Sequence, residues 1–408
     1  IMIYSKSWLP GMSLVGNREE FYAIGFCLFI LLLGINFRSF LKASISIPDL
    51  STFLIVLLLL TFLISTFVYN GSELTSFRSL SVMFSYSLII CVFYFLLPPL
   101  FFQNSRLWLF FMKSISIFGF MFAVLGAFIL AFNLAPVGKW GFAMVSIIGH
   151  PNNTSIVFTI SFMPTLYIIY WKWKEMTAFQ RTFYITSLLV QLVSQLFTFT
   201  RAGMIATAAG LLIFLFLIYR SKIILILPVF LGVIPIFVLS FFQAKGFGSF
   251  ISRLYLLVPA YEMITESREK MLWGYGITNA FKEYGKRVSL IEEYIKDPHN
   301  TYVTLLLMFG LVFTAVLLIF VFNLLLKTLL KAIKKKQVLE TRLLYVFLFS
   351  SAVSILLQGI FDAELIKYDY FTMHYLLLLF GVMYLTTEKV AAVSKGVELA
   401  VGLKETEK

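Results

Sequence analysis

The sequence predicts an all-α polytopic membrane protein with about 11–12 transmembrane helices and one larger external loop. Three observations carry that expectation. The 408 residues are 60% hydrophobic and 13% charged, and the mean hydropathy is +0.92, outside the range of soluble domains. Apolar runs of about 20 residues, the length that crosses about 30 Å of hydrocarbon as helix, recur along the chain. The basic residues are distributed unevenly between alternate loops.

The apolar runs lie near 21–37, 52–70, 79–101, 108–132, 153–171, 182–199, 202–219, 222–242, 301–326, 343–361 and 369–387. Helix is the expected form because every backbone polar group in lipid must be paired within its own segment. The chain opens with Ile1 before Met2, and Ser7-Trp8-Leu9-Pro10-Gly11 reads as a loop that follows a helix. A preceding first helix, and so twelve spans in all, is therefore expected.

Orientation follows from the short loops. Arg38, Lys42, Arg106, Lys172, Lys174, Arg181, Arg220, Lys222, Lys327, Lys331, Lys334, Lys335, Lys336 and Arg342 lie on one side, against Arg78, Lys139, Arg201 and Lys367 on the other. The positive-inside rule places the larger set, with the tail from Lys389, in the cytoplasm. The net charge of +13 is then a topology signal, and a nucleic-acid partner is not expected. Cys27 and Cys91 lie in apolar runs without metal-ligand spacing.

Four regions result: an N-terminal transmembrane bundle over 1–242, an external segment over 243–300, C-terminal transmembrane helices over 301–387 and a cytoplasmic tail over 388–408. The external segment carries eight basic and seven acidic residues, so it is nearly balanced. Leu254, Leu257, Tyr261 and Ile264 recur at helical spacing, and the segment is expected to form a lid on the bundle.

The candidate site gathers on the external face. Asp297-Pro298-His299-Asn300-Thr301-Tyr302 stands where a polar segment gives way to an apolar one, and Asp297-Pro298 reads as a helix start with His299 in its first turn. At that boundary a histidine either caps the helix or meets an aqueous substrate as a titratable group. Thr198-Phe199-Thr200-Arg201 puts an arginine close to hydrocarbon, a costly position that usually has a defined partner or function; the alternative is snorkelling to lipid phosphates. Arg253 heads the first helix of the external segment, where it is either a binding group or a solvated surface charge. Two guanidinium groups can clamp a diphosphate and stabilise the charge that grows on it as a leaving group, without a metal. A neutral histidine can accept the proton of an attacking hydroxyl.

Thr200-Arg201-Ala202-Gly203, Ser252-Arg253, Leu272-Trp273-Gly274-Tyr275-Gly276 and Pro298-His299-Asn300-Thr301-Tyr302 with Gly310 resemble, in order and sidedness, the motifs of the bacterial O-antigen ligase and O-antigen polymerase family. Gly149-His150-Pro151-Asn152-Asn153 is similar to another external loop of that family. The resemblance implies a GT-C-like fold in the bacterial inner membrane, with the active site on the periplasmic side. It implies an inverting, metal-independent glycosyltransferase whose donor is an undecaprenyl-diphosphate-linked glycan. Arg201 and Arg253 would bind the diphosphate, His299 would act as base or acceptor-orienting group, and no cofactor is called for. Asn300, Asp297 and Tyr302 are candidates to orient the ring or the acceptor. Ligases of the family often carry a second histidine where this chain has Asp297, so polymerisation onto a lipid-linked glycan is preferred to ligation onto lipid A-core. Outside the family, a lipid or solute transporter would instead require mid-membrane charges and internal repeats.

Other features read as structural. Gln191 and Gln195, one helical turn apart, suit interhelical hydrogen bonds. His374 reads as a packed histidine, and Gly274-Tyr275-Gly276 as a tight turn rather than a dinucleotide fingerprint. Asp362, Glu364 and Asp369 form an acidic group that either faces the acceptor or is solvated.

Overall fold

A computed structural model describes residues 57, 85–132, 144, 151–219, 248–288, 297–334, 339–363, 365 and 372–387. The runs expected at 21–37 and 222–242, most of 52–70, the tail from 388, and His150, Glu364 and Asp369 lie outside these residues. The described elements are all helical. A π-helical stretch, Cys91–Leu96, leads into α1 (Leu97–Gln103), followed by α2 (Ser105–Ala131), α3 (Pro151–Lys172), α4 (Ala178–Phe197) and α5 (Arg201–Tyr219). Then come α6 (Gly248–Thr265), α7 (Arg268–Trp273), α8 (Ile277–Val288), α9 (Thr301–Ile333) and α10 (Leu339–Gln358). The last is α11 (Thr372–Thr387).

Among the described residues, α2, α3, α5, α9 and α10 are long and apolar enough to cross a membrane. The chain is thus an all-α polytopic membrane protein. Its large outward side chains, such as Phe110, Phe216 and Phe322, are those a lipid-facing surface requires.

Close packing among the spans uses small and polar residues, because lipid supplies no hydrophobic drive between helices. Gly203 on α5 abuts Ser155 on α3, and Thr159 pairs with Thr207 at 3.1 Å, so α3 and α5 run parallel. Ser354 Oγ donates to the Ala206 carbonyl at 2.6 Å, and Gly210 faces Ser354 and Ser350, so α10 runs antiparallel to α5. Gln191 is buried at the α2–α3–α4 junction; its Nε2 donates to Ser187 Oγ at 2.9 Å and Thr165 Oγ1 at 3.2 Å, and its Oε1 accepts from Ser161 at 2.9 Å. Gln195 donates to Ser155 Oγ at 2.8 Å. Both glutamines serve interhelical bonding. His374 on α11 stacks on Phe93, with ring centroids 4.7 Å apart.

Helices α6, α7 and α8 pack together against the first part of α9. Their shared core is Leu256, Ala260, Met263, Tyr275, Ala280, Tyr284 and Val288 against Leu305, Leu307, Met308 and Phe309. The buried stripe of α6 differs from the expected one: Leu256, Ala260 and Met263 face inward, whereas Leu254 and Tyr261 are exposed. Both stripes have helical spacing. In a protein with a lipid-facing surface, an apolar stripe does not reveal which side meets protein.

Candidate active site

The site is assembled at the ends of helices. Because α3 and α5 run parallel, Pro151 and Arg201 begin at the same end of the bundle. The antiparallel register of α5 with α10 carries Arg201 to the level of Gly359. The start of α9 is laced to that same turn: Thr301 N donates to Gly359 O at 2.8 Å, Asn300 Nδ2 to Ile360 O at 2.8 Å, Thr301 Oγ1 to Asp362 O at 2.6 Å and Tyr302 OH to Leu356 O at 2.9 Å. Three helix N-termini, those of α3, α5 and α9, therefore share one end of the molecule. The positive ends of their helix dipoles face that end, which favours an anion there, although the first amides of α9 are already taken by Gly359 O and the Asn300 side chain. Lys172, Arg181, Lys331, Lys334 and Arg342 gather at the opposite end, as the loop charges require.

Backbone strain marks the same place. Among the described residues only two non-glycine positions have positive φ, Phe199 at 50° and His299 at 48°. One stands two residues before Arg201, and the other is the candidate base itself. Left-handed backbone at a bulky residue costs about 1–3 kcal/mol and persists where surrounding structure enforces it, commonly at functional sites. For Phe199 the cause is the three-residue link Thr198–Thr200, which must reverse the chain between α4 and α5. That link carries its own hydrogen bonds: Thr198 Oγ1 donates to Gln195 O at 2.7 Å and so accepts from Thr200 Oγ1 at 2.9 Å. Nothing in the residue types of the link announced a strained Phe199.

His299 is not in the first turn of α9, contrary to the sequence expectation. The N-cap is Asn300, whose side chain accepts from the Tyr302 and Val303 amides at 3.0 Å each. Asp297 instead forms a local turn, its Oδ1 accepting the His299 amide at 2.9 Å. Asparagine in the extended conformation is among the best N-caps, so it sets the helix start and leaves Pro298 and His299 outside. His299 Nδ1 lies 3.4 Å from Asp297 Oδ1, with the aspartate buried and the ring about one-third exposed. Asp297 thus faces the ring, while the Asn300 side chain is committed to the cap and to Ile360.

Arg201 is the first residue of α5 and partly buried; Arg253 lies on α6, with its side-chain contacts outside what is described. Tyr302 lines the upper end of an apolar cavity of about 500 Å³. The cavity runs along α9 from Thr301 and Tyr302 past Phe309, Phe313 and Leu317 to Leu325, against Tyr94, Leu356 and Phe380. That is roughly 35 Å of helix, and the volume is in the range of a ligand pocket.

Two hydrogen-bonded features fix the α6–α8 triplet, one within it and one against α9. Tyr284 OH donates to Leu256 O at 2.8 Å; burial first, and the Asp297 charge second, push its phenol well above the usual tyrosine range. The second is a seam at Gly274–Gly276. Tyr275 N donates to Leu307 O at 2.7 Å and Gly276 N to Met308 O at 2.9 Å. These carbonyls face the loop because α9 is broken at Gly310, with φ 74° and ψ −176°. The paired motifs Trp273-Gly274-Tyr275-Gly276 and Gly310 were the only sequence signal of that contact.

No curated protein matches the chain. Residues 185–318, the stretch that holds Arg201, Arg253, the glycine seam and His299, match the family model described as O-antigen ligase, in agreement with the resemblance carried by the ordered motifs.

Proposed function

We propose that the protein is an inverting glycosyltransferase that moves a glycan from a polyprenyl diphosphate, in the bacterial case undecaprenyl diphosphate, to a sugar hydroxyl at the external face of the inner membrane. The family match supports glycan transfer of the O-antigen ligase and polymerase kind. The observation that carries the finer reading is that Arg201, His299 and the Thr301–Tyr302 end of the apolar cavity all lie at the same end of the bundle. A lipid-linked diphosphate needs those three neighbours: a slot for its tail, a cation for its charge and an acceptor for the incoming proton.

Arg201 is a cation at the positive end of a helix, an arrangement that a bound anion relieves. In the proposed reaction the acceptor oxygen bonds to the anomeric carbon as the bond from that carbon to the diphosphate oxygen breaks. Arg201, with Arg253, takes the charge left on the diphosphate. Asp297 beside Nδ1 favours a proton on that nitrogen, which leaves Nε2 as the acceptor of the hydroxyl proton. No metal or other cofactor is required in this scheme.

Polymerisation, with a second lipid-linked glycan as acceptor, is the preferred reading because Asp297 replaces a histidine frequent among ligases. Ligation to lipid A-core is the second reading, favoured by the description of the matching family. The material accumulated by a deletion strain separates them. Core bearing one repeat indicates polymerase, unattached long polymer on the lipid carrier indicates ligase, and neither product sinks both. Cysteines placed at Glu269 and Lys334 test the orientation. An impermeant thiol reagent on intact spheroplasts should label the first; preferential labelling of the second would reverse the topology.

A further inference from the structure

The break in α9 divides that helix into a short upper segment, 301–309, and a long lower one. The upper segment is gripped twice. At its head, Asn300 and Thr301 are tied to Ile360 and Gly359. At its foot, the amides of Tyr275 and Gly276 hold the carbonyls of Leu307 and Met308. His299 stands immediately above the head.

We propose that the Gly274–Gly276 loop is a positioning element for His299, setting the tilt of residues 301–309 through the break at Gly310. The inference rests on the role given to His299 above. Nine residues of helix span about 13 Å, so a tilt of about 5° at the break moves the head by about 1 Å. A displacement of that size costs on the order of 10²-fold in rate when it moves a group engaged in the reaction. The loop has little room to yield. Gly274 has φ 77°, and a Cβ on it would stand 2.6 Å from the Gly310 nitrogen and from the Met308 carbonyl, which are backbone atoms that cannot rotate away. The loop is itself fixed from behind: the Tyr275 hydroxyl lies 2.9 Å from Met263 O and also against the Glu266 carboxylate, its one proton serving either acceptor.

The test uses the full chain in lipid nanodiscs, with a labelled polyprenyl-diphosphate glycan as donor and a defined acceptor. Gly274→Ala should lower kcat by about tenfold or more while donor Kd changes by less than about twofold. Tyr275→Phe keeps the backbone bonds and removes only the hydroxyl; it should give a smaller loss of the same kind, and it carries the test if the alanine variant does not fold. Combined with His299→Gln, either change should have almost no further effect on kcat, because the group it positions is gone. Hydrogen exchange at the amides of residues 301–304 should quicken in both loop variants. Losses that multiply with that of His299→Gln, a donor Kd that moves as much as kcat, or unchanged exchange would overturn the positioning role. Normal turnover by His299→Gln would instead overturn the reading of His299, and with it any need to position that residue.

Discussion

Gly310 backs onto the Gly274 turn: a Cβ on Gly274 would lie 2.6 Å from the Gly310 amide nitrogen, and a Cβ on Gly310 would run into the backbone of Leu272 and Trp273, which lead into that turn. Both have positive φ, 77° and 74°. The seam couples a turn of the α6–α8 triplet to a break in a membrane-spanning helix. The freed carbonyls of Leu307 and Met308 find partners in the turn, which is the condition for irregular backbone at membrane depth. Alanine at either position should cost about 1–3 kcal/mol in strain alone. In a double-mutant cycle the pair should be less harmful than the sum of the singles, with a coupling of about 0.5–3 kcal/mol, because the first alanine already separates the surfaces. Thermal unfolding of the purified variants in one detergent measures this; strict additivity would mean that the two glycines act independently.

His299 and Asp297 can be separated by substitution. His299→Ala should reduce transfer by at least about 10²-fold with little change in donor binding. His299→Gln distinguishes base from acceptor-orienting group, since glutamine can hydrogen-bond yet cannot take the proton at neutral pH. Asp297→Asn keeps an oxygen for the His299 amide and removes the charge beside Nδ1, so it should lower turnover by less than His299→Ala. Single-turnover rates under saturating donor decide the order; a more damaging Asp297→Asn would place the chemistry on the carboxylate.

For Arg201 the fork matters as well as the charge. Arg201→Lys retains a cation and loses bidentate geometry, so a loss of about tenfold or more in kcat/KM is expected. Arg253→Lys should act in the same sense. Lysine variants at both positions with ordinary turnover would remove the diphosphate clamp.

Glu266 makes the contacts among α6, α7 and α8 sensitive to acid. Hydrogen bonds from Lys270 first, and then from Tyr275 and Arg287, hold its carboxyl at a pKa of about 2, down from 4.5. Lys270 Nζ and Arg287 Nη2 lie 2.8 Å and 2.6 Å from its two oxygens. A depressed folded-state value means that the stabilisation is complete above about 4.5 and fades as the pH falls toward about 2. Glu266→Gln should therefore lower the thermal midpoint at neutral pH and flatten its decline across that window. The carboxylate is 40% exposed, so salt should weaken the effect. An unchanged acid profile in the glutamine variant would show that another group controls it.

What the sequence determined by itself was set by periodicity, charge and composition. Runs of about 20 apolar residues call for helix, since lipid leaves the backbone no other way to pair its polar groups, and among the described residues five helices are long and apolar enough to cross a membrane. Gln191 and Gln195 were legible as interhelical donors for the same reason. The ordered motifs marked Arg201, His299 and the glycines through their resemblance to the O-antigen ligase and polymerase family, and of these Arg201 also stood out physically, as a charge close to hydrocarbon. The tertiary structure decided what depends on contacts between distant residues. The competition between Asp297 and Asn300 for the start of α9 went to Asn300, which also reaches Ile360, and His299 was left on strained backbone before the helix. The buried face of α6 was settled by the shape of α9, since Leu254 and Leu256 are equally apolar. The meeting of Gly274 with Gly310 joins residues 36 positions apart. No local pattern encodes it, because the steric need for two bare backbones arises only where they touch.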